Sequence, residues 1–236
     1  MINRFAGLLC ALWFFIPAMN AAALTAGNTT TVFTVLNPYS ATYVTGSTTS
    51  VNNDDPSTAK NDQLWSGVLS AAVFRSSSGT LDFLYQFANN SASTQVITKL
   101  VESSFAGFAI TDLGYIAYNF DGAGNGAVNF PAGTAGNNPV SAALNSLGTN
   151  LTFTFGAGSN SVGIGEVSQV LVIRTNALKW ATGNVQIIDN DSMSYDPNYA
   201  AFRPFGSAVP EPPAYAMIGI GLLMISKLKF RNRTKV

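Results

Sequence analysis

The chain has 236 residues, 47 % of them hydrophobic and only 10 % charged, with twelve basic side chains, twelve acidic ones and no histidine. Without histidine there is no Ser-His-Asp triad and no His-ligated metal. The charges are also segregated: Arg4 stands at one end and five Lys or Arg in the last ten residues, leaving six basic side chains from Lys60 to Arg203 against eleven acidic ones from Asp54 to Asp196. A nucleic-acid surface needs clustered Lys and Arg, and the acidic middle excludes one.

The N-terminus reads Met1-Ile2-Asn3-Arg4, then an apolar run from Phe5 to Ile16, Pro17, and the small residues Ala18, Ala21, Ala22 and Ala23. A charged start, an apolar stretch and an Ala-x-Ala end predict a secretory signal helix over 1–23, cut after Ala23 and read by the export machinery. Twelve apolar residues reach about 18 Å as a helix, short of a bilayer core of about 30 Å. Cys10 lies within this segment, so the body after it has no cysteine.

Residues 24–208 are expected to form one domain of short strands. Thr31–Leu36, Val96–Val101 and Gly114–Phe120 are the weaker strand candidates. Gly67–Phe74 and Leu81–Phe87 flank Arg75-Ser-Ser-Ser-Gly-Thr80 as a hairpin with a Gly-containing loop. Leu81, Phe83, Tyr85 and Phe87 alternate with Asp82, Leu84 and Gln86, a period of two that predicts a half-buried strand. Leu151, Phe153 and Phe155 repeat the pattern, and Val167–Arg174 and Val185–Ile188 are β-branched runs bounded by glycines. Pro139–Leu147 has the composition of a short helix. The fold expected is all-β, an antiparallel, jelly-roll-like β-sandwich ectodomain.

Within that body, two oxygen-rich loops are candidates for Ca2+, a cation that takes six to eight oxygen ligands. One holds Asp54, Asp55 and Asp62 beside Asn52 and Asn53, the other Asp189 and Asp191. Neither has EF-hand spacing, and Asp and Asn also favour turns for their own backbone hydrogen bonds. Trp65, Trp180, Tyr195 and Tyr199, with Tyr43, fall near loops or strand ends, where an aromatic ring could stack on the apolar face of a sugar. The two glutamates of the body, Glu102 and Glu166, are the only pair of that type for glycosidic chemistry. Glu102 precedes Ser103-Ser104 and is expected on an exposed turn, and Glu166 at a strand entry, both as solvated charges.

The C-terminal segment, 209–236, combines three parts. Val209, Pro210, Glu211 and Pro212 open it with a stretch that cannot be helical. An apolar helix from Ala214 follows, about 13 residues long, or about 17 and about 25 Å if Lys227 snorkels and Phe230 is included. Lys227, Lys229, Arg231, Arg233 and Lys235 close it as stop-transfer charge on the cytoplasmic side. This order of motif, transmembrane helix and basic tail resembles the PEP-CTERM sorting signal. The stretches Ser78–Asn90, Phe105–Phe108 and Ser168–Ala177 are similar to a recurrent ectodomain of PEP-CTERM proteins. The resemblance implies transient anchoring in the inner membrane, cleavage near Pro210–Pro212 by an exosortase, and delivery to the cell surface or an exopolysaccharide matrix. It brings no catalytic residues. The functional expectation is a non-enzymatic exported surface or matrix protein. A glycan- or calcium-binding extracellular module is the alternative, with a polysaccharide hydrolase or lyase third.

Overall fold

The computed structural model describes residues 23–54, 63–121, 128–156, 161–190 and 197–206. The predicted signal segment up to Ala22 and the predicted sorting segment 209–236 lie outside the described residues. The described chain is all-β, and no helix occurs among those residues.

In chain order the strands are β1 (Thr29–Thr30), β2 (Thr34–Val35), β3 (Thr42–Asn52), β4 (Ser66–Arg75), β5 (Leu81–Asn89), β6 (Ile97–Ser103) and β7 (Ile110–Ile116). They continue as β8 (Phe120–Asp121), β9 (Asn129–Phe130), β10 (Ser141–Leu144), β11 (Asn150–Thr154), β12 (Val170–Thr175), β13 (Lys179–Asp189) and β14 (Asn198–Phe205). One six-stranded sheet runs β2-β7-β12-β5-β4-β3, a second β1-β10-β11-β6-β13-β14, and β8 pairs with β9 alone. Pairing within the sheets is antiparallel except between β2 and β7, which run parallel. The chain keeps β3, β4 and β5 as consecutive neighbours, then crosses between the two large sheets after β5 and β6, after β7 by way of β8 and β9, and after β11 and β12.

The main core lies between the two large sheets. Phe83, Tyr85 and Phe87 of β5 and Leu171 and Ile173 of β12 meet Leu100 of β6, Phe153 of β11 and Val185 and Ile187 of β13 in one buried cluster. These are the odd positions of the β5 alternation, as the period of two requires. The even positions differ from the expected half-buried strand: Asp82, Leu84 and Gln86 are buried as well. The reason is a second cluster on the outer face of the β5 sheet. There Tyr39, Phe130 and Val128 cover Ala72, Phe74, Leu84, Ile116 and Val172. The loops that flank the sheet turn back over it, so β4 and β5 are covered on both faces.

The hairpin predicted around Arg75–Thr80 is present, with Gly67 through Arg75 of β4 in continuous register with Asn89 through Leu81 of β5. The short helix expected over 139–147 is instead the strand β10, paired residue by residue with β11 from Ser141↔Thr154 to Leu144↔Leu151. Alternation explains this: Ala142 and Leu144 are buried while Ser141 and Ala143 are half-buried, a period of two hidden by small residues.

Candidate functional site

The charged groups that the fold brings together stand at one end of the β5 sheet. β12 lies between β5 and β7, and Arg174 is directly opposite Asp82 on one side and Asp112 on the other. Side chains directly opposite on adjacent strands project from the same face, so the three form a carboxylate–guanidinium–carboxylate row. Arg174 Nε is 3.7 Å from Asp82 Oδ2, and Nη1 is 3.3 Å from Asp112 Oδ2. Both carboxylates are buried, whereas the Arg174 side chain is about one-third exposed.

Hydrogen bonds from the covering loop hold the row. The Tyr39 hydroxyl donates to Asp82 Oδ2 at 2.9 Å, and the Thr34 hydroxyl reaches Asp112 Oδ1 at 2.9 Å. The Tyr39 N–H in turn donates to the Tyr118 hydroxyl at 2.8 Å. Burial pushes the Asp82 carboxyl up to about 6, although Tyr39 and Arg174 favour its charged form. Burial first, and the charge of Asp82 second, raise the Tyr39 hydroxyl far above its ordinary value, so it remains a donor.

Over Asp82 and Arg174 opens a cleft of about 290 Å3. Its wall is the β4–β5 turn, closed by Ser76 N–H to the Thr80 carbonyl and by Gly79 at φ +87°, a left-handed position that glycine adopts without a Cβ clash. The hydroxyls of Ser76, Ser78 and Thr80 lie 2.8–3.0 Å from one another. Every side chain that lines the cleft carries a hydroxyl, a carboxylate or a guanidinium. Chemically, the site offers fixed acceptors in its floor, one fixed cation, and hydroxyls able to donate or accept.

A second buried carboxyl lies between the sheets. Glu102 is 1 % exposed, which overturns the expected solvent-exposed turn. β6 runs on through Ser103, so Glu102 falls two residues after Leu100 on the same inward face. It lies close to the Tyr85 hydroxyl, which donates to the Phe202 carbonyl. Burial likewise drives the Glu102 carboxyl well above the usual range, only partly opposed by Tyr85. Its Oε1 has no hydrogen-bond partner among the described residues. Glu166 is placed quite differently, its Oε2 accepting from Asn137 Nδ2 and from Gly163 N–H, each at 2.9 Å. It serves as a loop brace and not as a freely solvated charge.

The oxygen-rich loops meet at one point: Asn53 Nδ2 reaches the buried Asp189 Oδ2 at 3.4 Å. Asn53 Oδ1 is occupied by the N–H groups of Leu64 and Trp65. Asp54 is exposed, its N–H bonded to Asn52 Oδ1 in an Asx turn. Asp55, Asp62 and Asp191 lie outside the described residues, and among the described residues no three acidic, His or Cys groups gather as a metal site.

Of the aromatic candidates, Trp65 is fully buried, its ring edge-on to Phe87 at 5.7 Å and to Tyr199 at 6.5 Å. Its placement at the start of β4 faces it into the core, so it offers no face to a sugar. Tyr199 is half-buried against it and bonds the backbone of Asn52. Tyr43 packs on Phe74 at 5.6 Å. Trp180 is the exception: it is 37 % exposed on β13, with one edge against Phe202. Tyr195 lies outside the described residues.

Sequence reasoning missed Asp82, Arg174, Asp112 and Tyr39 as a group. The available signal was a charge inside an apolar run, Asp82 after Leu81 and Arg174 after Ile173, in a chain with few charges. Comparison of the chain with protein-family models, with curated proteins and with solved structures gives no match.

Proposed function

We propose that this chain is an exported bacterial surface or exopolysaccharide-matrix protein, non-enzymatic, whose body is a jelly-roll-like β-sandwich ectodomain. The observation that carries the reading is the tripartite end: Val209-Pro210-Glu211-Pro212, an apolar stretch, and five basic residues from Lys227 to Lys235. That order suits an inner-membrane anchor held by its cytoplasmic charge and released by an exosortase at the Pro-Glu-Pro segment. Two large sheets enclosing one core support the sandwich reading. Leu24, the residue after the expected signal cut, is buried and donates its N–H to the Ile110 carbonyl. The body therefore has a use for the first residue that cleavage would leave.

The test is Glu211→Ala in the producing cell. The variant is expected to accumulate uncut in the inner membrane, read by immunoblot of membrane and extracellular fractions. Normal maturation of the variant would overturn the sorting role.

A glycan-binding module is the second reading. It is favoured by the exposed Trp180 and by the hydroxyl-lined cleft over Asp82, in a chain with few charges.

A further inference from the structure

The cleft over Asp82 has a composition that selects among ligands. Its eight lining residues are serines, threonines, Asp82 and Arg174, and no apolar or aromatic side chain lines it. A lipid, a fatty chain or a planar heterocycle would find no apolar surface there. Its volume of about 290 Å3 stands at the lower end of the roughly 300–1,000 Å3 usual for small-molecule sites. The space suits one small polar unit and is too small for a chain of them.

Charge narrows the class further. Arg174 is flanked by two carboxylates, so the row carries one negative charge in excess when all three are ionised. An anionic ligand would have to approach a guanidinium already neutralised and meet Asp82 in the floor. A hard cation needs six to eight oxygens, and here it would be placed against Arg174. A neutral ligand that both donates and accepts meets neither penalty. It would give hydroxyl protons to Asp82, take protons from Arg174, and exchange with Ser76, Ser78 and Thr80, whose hydroxyls can each serve either way.

The site is also built in advance. Asp82 is fixed by strand register to Arg174 and by the Tyr39 hydrogen bond at 2.9 Å. The wall is held by the closed β4–β5 turn, with Arg75 Nη1 donating to the Gly79 carbonyl at 2.7 Å. Pre-organised polar groups lower the ordering cost of binding. From these observations we infer that the cleft binds one neutral pyranose unit of a glycan, with Asp82 accepting from its hydroxyls, Arg174 donating, and Ser76, Ser78 and Thr80 completing the contacts. The inference rests on the glycan-binding reading and gives it a place and a sugar class.

The experiment is saturation-transfer NMR and titration calorimetry on the full chain with glucose, galactose, mannose and N-acetylglucosamine, and with glucuronate as the acidic counterpart. At least one neutral sugar is expected to bind with a Kd of about 1 mM, and glucuronate about tenfold more weakly or not at all. Asp82→Asn should weaken that sugar at least about tenfold, because a fixed acceptor is replaced by an amide whose N–H groups face Arg174. Should Asp82→Asn fail to fold, the double variant Ser76→Ala/Ser78→Ala decides, since it removes wall hydroxyls and leaves the Asp82–Arg174–Asp112 row intact. It should weaken the sugar about fivefold, whereas Trp180→Ala should change nothing. Silence from every neutral sugar at about 50 mM, glucuronate binding as tightly as the best neutral sugar, or an unchanged Kd in the double variant would overturn the assignment. Loss of binding in Trp180→Ala alone would move the glycan to β13, so that the cleft falls while the glycan-binding reading stands.

Discussion

Glu102→Gln isolates the cost of a carboxyl sealed between two sheets. The folded protein holds the Glu102 proton well above the ordinary carboxylate range, chiefly because burial disfavours the charge. The unfolded chain releases it near 4.5. A raised folded value means that stability is fully present at low pH and declines as pH rises toward that value. While the folded state keeps one proton that the unfolded state has lost, the unfolding free energy falls by about 1.4 kcal/mol per pH unit. The chain contains no histidine, and whatever else titrates is common to the native protein and the variant, so their difference isolates Glu102. Native stability should therefore fall as pH rises above about 4.5, for as long as the folded state keeps the Glu102 proton. Glutamine cannot ionise, so Glu102→Gln should lose less stability than the native chain as pH rises from 5 to 8. Urea unfolding of both proteins at half-unit steps, followed by near-ultraviolet dichroism, measures the two slopes. Parallel slopes would refute the assignment of the proton to Glu102.

Two further outcomes follow from the same geometry. Asp82, raised from 3.8 to about 6, should make the native chain lose about 2 kcal/mol relative to Asp82→Asn between pH 4 and pH 6.5. Urea midpoints at those two pH values give the difference, and a constant offset would contradict it. Gly67→Ala should destabilise the fold by more than about 2 kcal/mol, because the added Cβ would stand 2.4 Å from the Ala88 carbonyl oxygen and 2.5 Å from the Phe87 ring. Thermal unfolding reads the loss, and a variant within about 0.5 kcal/mol of native would show that β4 shifts freely.

What the sequence disclosed was the part governed by local alternation. Leu81, Phe83, Tyr85 and Phe87 announced β5, and Leu151 and Phe153 announced β11, because large apolar side chains at a period of two have one interior to enter. β3 left no such mark. Its eleven residues, Thr-Tyr-Val-Thr-Gly-Ser-Thr-Thr-Ser-Val-Asn, carry little alternation, and as an edge strand it pairs with β4 alone. The candidate site was illegible for a related reason. Asp82, Arg174 and Asp112 are separated by 92 and 62 positions in the chain, and only the order β7-β12-β5 makes them neighbours. Tyr39 joins them through a loop folded over the outer face, a tertiary event that no window of residues contains. By residue type Glu102 reads as a turn residue, but the period of β6 turns it inward. Two positions after Leu100, in a strand that does not stop, an acid goes inward with the apolar residues.

The two buried carboxyls show why burial of charge does not by itself mark a site. Asp82 and Glu102 both have raised pKa values, and burial is the first cause in each. Around Glu102 the apolar cluster closes, leaving only Tyr85 and, beyond it, the Phe202 carbonyl. These residues join β6, β5 and β14, and the benefit available from a polar group in that position is register: a one-residue slip of β6 would turn Glu102 outward, away from Tyr85. Asp82 has a counter-charge, a fixed tyrosine donor and an open cleft lined with hydroxyls. A carboxylate needed only for register has no use for an opening, since water at its face weakens the interactions that hold it. The opening, set over the row where strand order brings a guanidinium between two acids, is what separates a binding floor from a structural pin.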